Sequence, residues 1–262
     1  MTDLVLRETH GRVLRLTLNS PANYNALSVE MIAELTRALD EAAADKGIRA
    51  VILAATGKAF SAGHDLKQMQ ASREAGDEGR AAYESLFADC AAMMQRIGAM
   101  PQPVIAQVQG IATAAGCQLV ASCDLAIAAG GTRFGVNGVN IGLFCTTPMV
   151  ALSRAIAPRA AFELLVTGEF IDADRARELG LINRVVPQER LADEAMEMAQ
   201  LIATKLPAAV AMGKRAFQAQ RGLGTAEAYA AAGSVMCENI MLPDTAEGMA
   251  AFIEKRPPAW AD

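Results

Sequence analysis

Positive charge is in short supply in this 262-residue sequence: 24 Lys+Arg stand against 29 Asp+Glu, a formal net charge of -5. A chain without a broad basic surface lacks the electrostatic footprint of nucleic-acid binding, so nucleic acid is excluded as a partner. A polyphosphate ligand is not excluded, because a few lysines and helix N-termini can hold phosphate locally. The five cysteines, Cys90, Cys117, Cys123, Cys145 and Cys237, are odd in number and contain no C-x-x-C pair. Neither a disulfide framework nor a zinc site follows, and no metal is expected. No secretory-type segment opens the sequence, and with reduced thiols the expected compartment is the cytoplasm. Residues 97 to 123 carry no Asp, Glu, Lys or Arg. A membrane span is nevertheless not expected, since Pro101, Pro103, Gln107, Gln109, Gly110, Gly116 and Gln118 divide the stretch into a strand, a loop and a helix.

Half the residues, 52%, are hydrophobic, enough for a substantial core. Leu14, Leu16 and Leu18 alternate with Arg15 and Thr17, which predicts a strand. Ser28 is placed to cap a helix in which Met31, Ile32, Leu35 and Leu39 share a face. The continuous apolar run 50–54 fits a strand covered on both sides. Further strands are expected at 103–108, 124–129 and 182–186, and helices at 114–122, from Thr147-Pro148, and from Asp172 to Gly180. The class is therefore α/β. Beyond about 189 the chain is nearly all helix-forming, interrupted at Pro207, Gly222 to Gly224 and Pro243. We divide it into a core, 1–198, and a C-terminal helical region, 199–262, whose apolar faces call for docking against other subunits.

Three segments join an apolar strand to a helix, where open α/β folds keep their ligands: 19–28, 56–67 and 109–118. The second brings small residues and Lys67; the third gathers backbone N–H groups at a helix N-terminus, where they can stabilise an oxyanion or simply make a tight turn.

Leu18-Asn19-Ser20-Pro21 with Asn25-Ala26-Leu27-Ser28, Phe60 to Leu66, Pro103 to Ala106, Gly116 to Leu119 with Cys123-Asp124, Phe134-Gly135, Ile141 to Leu143, Leu165 to Gly168 and Phe252 to Arg256 occur in order along nearly the whole chain. Together they resemble the crotonase superfamily, the enoyl-CoA hydratases and isomerases of fatty-acid metabolism. The stretch Ala112 to Asp124 with Gly142 to Cys145 is especially similar to a branch of enoyl-CoA hydratase domain-containing proteins also found in mammalian mitochondria.

The resemblance implies a repeated ββα superhelix with a C-terminal helical trimerisation region, assembled as a homotrimer or dimer of trimers. It implies a CoA thioester as ligand, with no tightly bound cofactor. The thioester oxygen falls to the backbone N–H groups of His64 and Ala115, and CoA contacts fall on Ala26, Ala62, Asp65, Leu66, Lys67 and Lys255. The two glutamates of a hydratase fall on Gln118 and Gly138, and the later acids of other branches fall on Asn140 and Thr146, none of which is an acid. Asp65 belongs to the CoA motif, while Glu84 and Asp89 read as a solvated helix face. His64 as proton carrier and Cys145 as thiolate nucleophile are the substitutes to weigh, against a His that lends only its N–H and an inert Cys. The expected function is an enoyl-CoA hydratase or isomerase without the usual acid/base pair; the alternative is a non-catalytic CoA-ester-binding or assembly subunit. Glu introduced at 118 and 138 is expected to separate a scaffold that lacks only its acids from a reshaped pocket.

Overall fold

The computed structural model describes residues 3–74 and 76–260. β1 (Val5–His10) and β2 (Val13–Leu18) form an antiparallel hairpin turned at Gly11, and the face of β2 predicted to be buried joins the core. α1 (Val29–Ala44) starts where Ser28 Oγ accepts the Met31 N–H at 3.2 Å, and it buries Met31, Ile32, Leu35 and Leu39. β3 (Ala50–Ala55) follows, then α2 (Leu66–Ser72), α3 (Arg80–Ala99), β4 (Val104–Val108), β5 (Ile111–Thr113), α4 (Ala115–Ser122), β6 (Leu125–Ala129) and β7 (Arg133–Gly135). After these come α5 (Thr146–Ala155), α6 (Pro158–Thr167), β8 (Phe170–Asp172), α7 (Ala173–Glu178), β9 (Arg184–Val186), α8 (Leu191–Ala203), α9 (Pro207–Gln220), α10 (Thr225–Ile240) and α11 (Pro243–Glu254).

The larger sheet has the order β1-β2-β3-β4-β6-β9 and is parallel after its first pair. Its middle strands are apolar throughout because both faces are covered. In β3, Val51 and Leu53 pack with residues of α1 and α3, while Ala50, Ile52 and Ala54 pack with Leu191, Ala195 and Ala199 of α8. The smaller sheet, β5-β7-β8, forms a second layer. After β4 the chain bends at Gly110 into β5 and then α4; after β6 it enters β7 and a 3-10 turn over Asn137–Ile141. Two earlier passes place single residues in register with this layer, since Leu27 bridges His64 and Ser61 bridges Ala112. This is the repeated ββα coil that the resemblance implies. Its second layer stacks Leu27, Ser61 to His64, β5 and β7 side by side, and so brings the three sequence-predicted loops together.

The dividing line at 198/199 falls inside α8, whose Ala195 and Ala199 pack under the large sheet. Beyond α8, which buries Leu191, Ala195, Met198 and Ala199, the helices α9 and α10 bury no side chain. Among the described residues no helix is long and apolar enough to cross a membrane. The uncharged stretch 97–123 is instead divided among the end of α3, β4, β5 and α4.

Candidate active site

Asn25 holds the first loop to the second. Fully buried, it donates from Nδ2 to the carbonyls of Thr56 and Ala59, both at 2.8 Å, and accepts the Ser20 N–H on Oδ1 at 2.8 Å. It sits at φ 52° beside Tyr24 at φ 49°, a left-handed pair that Asn tolerates better than most residues. The pair turns the chain so that Tyr24 O accepts from Ala62 and Leu27 N donates to Gly63 O at 2.7 Å.

The second loop then meets the third at backbone contact. A Cβ on Gly63 would stand 3.0 Å from Ala114 Cβ and 3.2 Å from Ala115 N, and one on Gly116 only 2.2 Å from Ser61 O. Glycine at 63 and 116 is thus a condition of the approach. Ala114, the residue before α4, has φ 50° and ψ -120°, a conformation costing on the order of 1–3 kcal/mol in a residue with a Cβ. Its N–H donates to Gly135 O at 2.9 Å, which fixes the start of α4 against β7.

Ala115 is the first residue of α4, so its N–H points out of the helix end together with the positive end of the helix dipole. Among the described residues, neither this N–H nor that of His64 donates to a protein acceptor. The His64 ring is tied down: Nδ1 donates to Leu27 O at 3.2 Å, Nε2 is buried without a partner among the described residues, and the ring meets Phe87 of α3 edge-on at 5.6 Å. Burial lowers its pKa from the ordinary 6.5, with the Leu27 carbonyl opposing, so the imidazole is neutral at pH 7.

Gln118 lies one helical turn beyond Ala115, 4% exposed, with Oε1 buried and no hydrogen bond from its amide to the chain among the described residues. At Gly138 a Cβ would lie 2.3 Å from Leu143 O and 2.8 Å from Cys145 Sγ. The space a side chain would need is filled, so glutamate at 138 is sterically closed and the paired Glu substitution tests less than the sequence implies. Burial raises the pKa of Cys145, opposed by the Gly138 N–H, and pushes that of Cys117 up to about 12. Both thiols are protonated near neutral pH, and Cys145 is not a ready thiolate.

The other sequence-predicted residues take several places. Asp65 caps α2, accepting the N–H groups of Lys67 at 2.9 Å and Gln68 at 3.1 Å and the amide of Asn23 at 2.8 Å. Burial pushes its pKa up, but these bonds outweigh it and hold the carboxylate ionised. Ala26 is buried, whereas Ala62, Leu66 and Lys67 are exposed beside it in the chain's second loop. Lys255 ends α11 at φ 57°, and no hydrogen bond or ion pair joins it to residues 61–67 in this single chain. Glu84 pairs with Arg80 and Asp89 accepts from Ser85, both on the exposed face expected of them. Asn140 donates to Gly168 O at 3.3 Å, and Thr146 opens α5. Among the described residues no cluster of three or more His, Cys, Asp or Glu is arranged to hold a metal.

Sequence reasoning missed Lys214. From α9 its Nζ donates to Ile97 O at 2.7 Å, Gln102 O at 2.8 Å and Asp124 Oδ2 at 2.7 Å, while Asp124 also accepts the Val104 N–H. The pair fixes the far end of α4 to the C-terminal region, and nothing in a Lys among helix-forming residues announces it.

The coiled ββα layers are the architecture of one family, and the chain belongs to it. Residues 8–262 match the model of the enoyl-CoA hydratase/isomerase family. Over 256 residues the chain is 43% identical to the mitochondrial enoyl-CoA hydratase domain-containing protein 3 of Xenopus laevis, covering 98% of this chain and 85% of that protein. Among solved structures, an enoyl-CoA hydratase of Mycobacterium smegmatis superposes with a TM-score of 0.94 at 53% identity, covering 99% of each chain. Human enoyl-CoA hydratase domain-containing protein 3 superposes with a TM-score of 0.93 at 39% identity, covering 98% of this chain and 100% of that one. These names correct one expectation: the frog protein and its fish, rat and human counterparts are named as mitochondrial, which points to mitochondria rather than the cytoplasm.

Proposed function

We propose that the protein binds an acyl-CoA thioester with its carbonyl oxygen between the N–H groups of His64 and Ala115, and that it stabilises negative charge developing on that oxygen. The observation that carries this reading is the pair of undonated N–H groups, held together by the glycine contact at Gly63 and by the strained turn at Ala114. Fixed donors in a water-poor site favour an enolate oxygen over the ground-state carbonyl, because they need no reorganisation as charge develops. Ala26, Ala62, Asp65, Leu66, Lys67 and Lys255 are the proposed CoA contacts. Since no hydrogen bond or ion pair joins Lys255 to residues 61–67 within the chain, its contact is assigned across a subunit boundary, in a homotrimer or dimer of trimers.

Ordinary hydration or isomerisation, the lyase and isomerase chemistry of the family, needs a group that exchanges protons. Segments 61–64, 113–118 and 137–145 contain no carboxylate, and the one histidine in them is neutral and anchored to Leu27. This favours slow or no hydration, and it keeps the non-catalytic CoA-ester binder as the second reading. A crotonyl-CoA hydration assay beside calorimetric titration with acetyl-CoA tests the proposal. Binding with little hydration is the expected result. No binding of acetyl-CoA would overturn it, and rapid hydration would show that an acid/base group outside these segments is at work.

A further inference from the structure

An enolate of a thioester can be made by removing a proton from C2, by adding a nucleophile to a C2=C3 double bond, or by losing carbon dioxide from C2. The first two require a group that takes or gives a proton at the reacting carbon. The third requires only that the electron pair left at C2 be accepted. On the reading proposed above, the site supplies that acceptance in the N–H groups of His64 and Ala115, while segments 61–64, 113–118 and 137–145 bring no carboxylate to it.

Three further observations bear on it. The side chain of Gln118, almost wholly buried and one turn from Ala115, makes no hydrogen bond to the described residues: Oε1 is buried without a partner, and the N–H2 on the same amide is a donor left for a bound group. Gly138 is closed to any side chain by Leu143 O and Cys145 Sγ, which keeps that wall of the site uncharged. Cys117 and Cys145 are held as neutral thiols by burial. A carboxylate on either position would repel an anionic acyl group strongly at this depth. A neutral amide and a closed glycine are what such a group needs.

We infer that the substrate class of this site is a 2-carboxyacyl-CoA, a malonyl-type thioester, and that the reaction is its decarboxylation. Gln118 Nε2 donates to the carboxylate in a setting poor in water, which favours the charge-dispersed transition state over the localised carboxylate. The bond between C2 and the carboxyl carbon breaks, and its electron pair becomes the C1=C2 π bond as the carbonyl π pair moves onto the thioester oxygen between the two N–H groups. Carbon dioxide leaves. Water then delivers a proton to C2, restoring the thioester, so the balance is one 2-carboxyacyl-CoA and one proton to one acyl-CoA and one CO2. No oxidant, reductant or metal is needed.

The probe is malonyl-CoA, incubated with the full-length protein in heavy water, with acetyl-CoA and CO2 quantified and calorimetry with acetyl-CoA alongside. Decarboxylation at least about 100-fold above buffer, the scale a hydrogen-bonded oxyanion supplies, is the expected result, with one solvent deuterium entering at C2. Gln118→Glu should lower the rate at least about tenfold by like-charge repulsion. Should that variant fail to fold by circular dichroism, Gln118→Leu removes the donor without adding charge and should lower the rate in the same direction. Acetyl-CoA binding without malonyl-CoA decarboxylation overturns this inference and leaves the thioester reading standing. Failure to bind either thioester overturns both, and an undiminished rate in folded Gln118 variants overturns the role of the amide.

Discussion

His64 has two separable features: a backbone N–H that donates to no protein acceptor among the described residues, and a ring that locks the loop carrying it. The ring is neutral because burial opposes its charging more than the Leu27 carbonyl favours it. A folded-state pKa below the ordinary 6.5 means that the unfolded chain binds more protons just below that pH. The stability from this side chain is therefore fully present above the unfolded pKa and is lost as pH falls through the folded one. Asn at this position can place an amide nitrogen where Nδ1 stands, and so can keep the bond to Leu27 without titrating. His64→Asn should flatten the fall in urea midpoint between about pH 7.5 and about pH 5.5 relative to the parent chain. An identical slope in both proteins would show that the ring does not carry this pH dependence.

At the scale of elements, α4 is fixed at both ends, at Ala114 by its N–H to Gly135 O and beyond Ser122 by Asp124 and Lys214. Burial pushes the Asp124 pKa up and the Lys214 pKa down, so each is tolerated in ionised form because the other is 2.7 Å away. Lys214→Met leaves an uncompensated buried carboxylate and should cost about 3–5 kcal/mol in denaturant unfolding. Lys214→Met with Asp124→Asn should recover part of that loss, and a double variant no more stable than the single would remove the pair from the account. Five of the six strands of the large sheet were legible in the sequence, β2 by its alternation and the middle strands because strands covered on both faces are apolar throughout, and α1 because Ser28 caps it ahead of a helical period; β1 was missed because Val5–His10 is an edge strand, mostly exposed and without an apolar period. β5, β7 and β8 are three residues each, too short to show a period of two. The candidate loops were legible as small residues between strand and helix, but not their contact, because alanine and glycine carry no sign of what they approach. The Lys214 pair spans 90 residues, and a single Lys in an amphipathic tail looks like any solvated one.

For the molecule as a whole, the C-terminal helices leave several large apolar side chains without cover. α9 and α10 bury none of theirs in the single chain, and Phe217, Tyr229, Met236 and Met241 stand exposed along them. The end of α11 is nonetheless held in one geometry: Arg256 pairs with Glu247 and Glu254, and Trp260 lies over Gly248 with Nε1 donating to Thr204 O at 3.3 Å. A tail held in this way presents Phe252, 86% exposed, and Ile253 outward on a fixed surface instead of a frayed end. Each such side chain gains roughly 1.5–3 kcal/mol when fully buried, so a symmetric association that covers several offsets the cost of bringing subunits together. The same association is what would carry Lys255 to a CoA bound beside Lys67. The protein should sediment as a trimer or hexamer, and Phe252→Asp with Ile253→Asp should shift it toward single chains while weakening acetyl-CoA binding. Parent protein sedimenting as single chains would sever the tail from the site, and a dissociated variant that binds acetyl-CoA with full affinity would show that one chain holds its ligand without Lys255 of another.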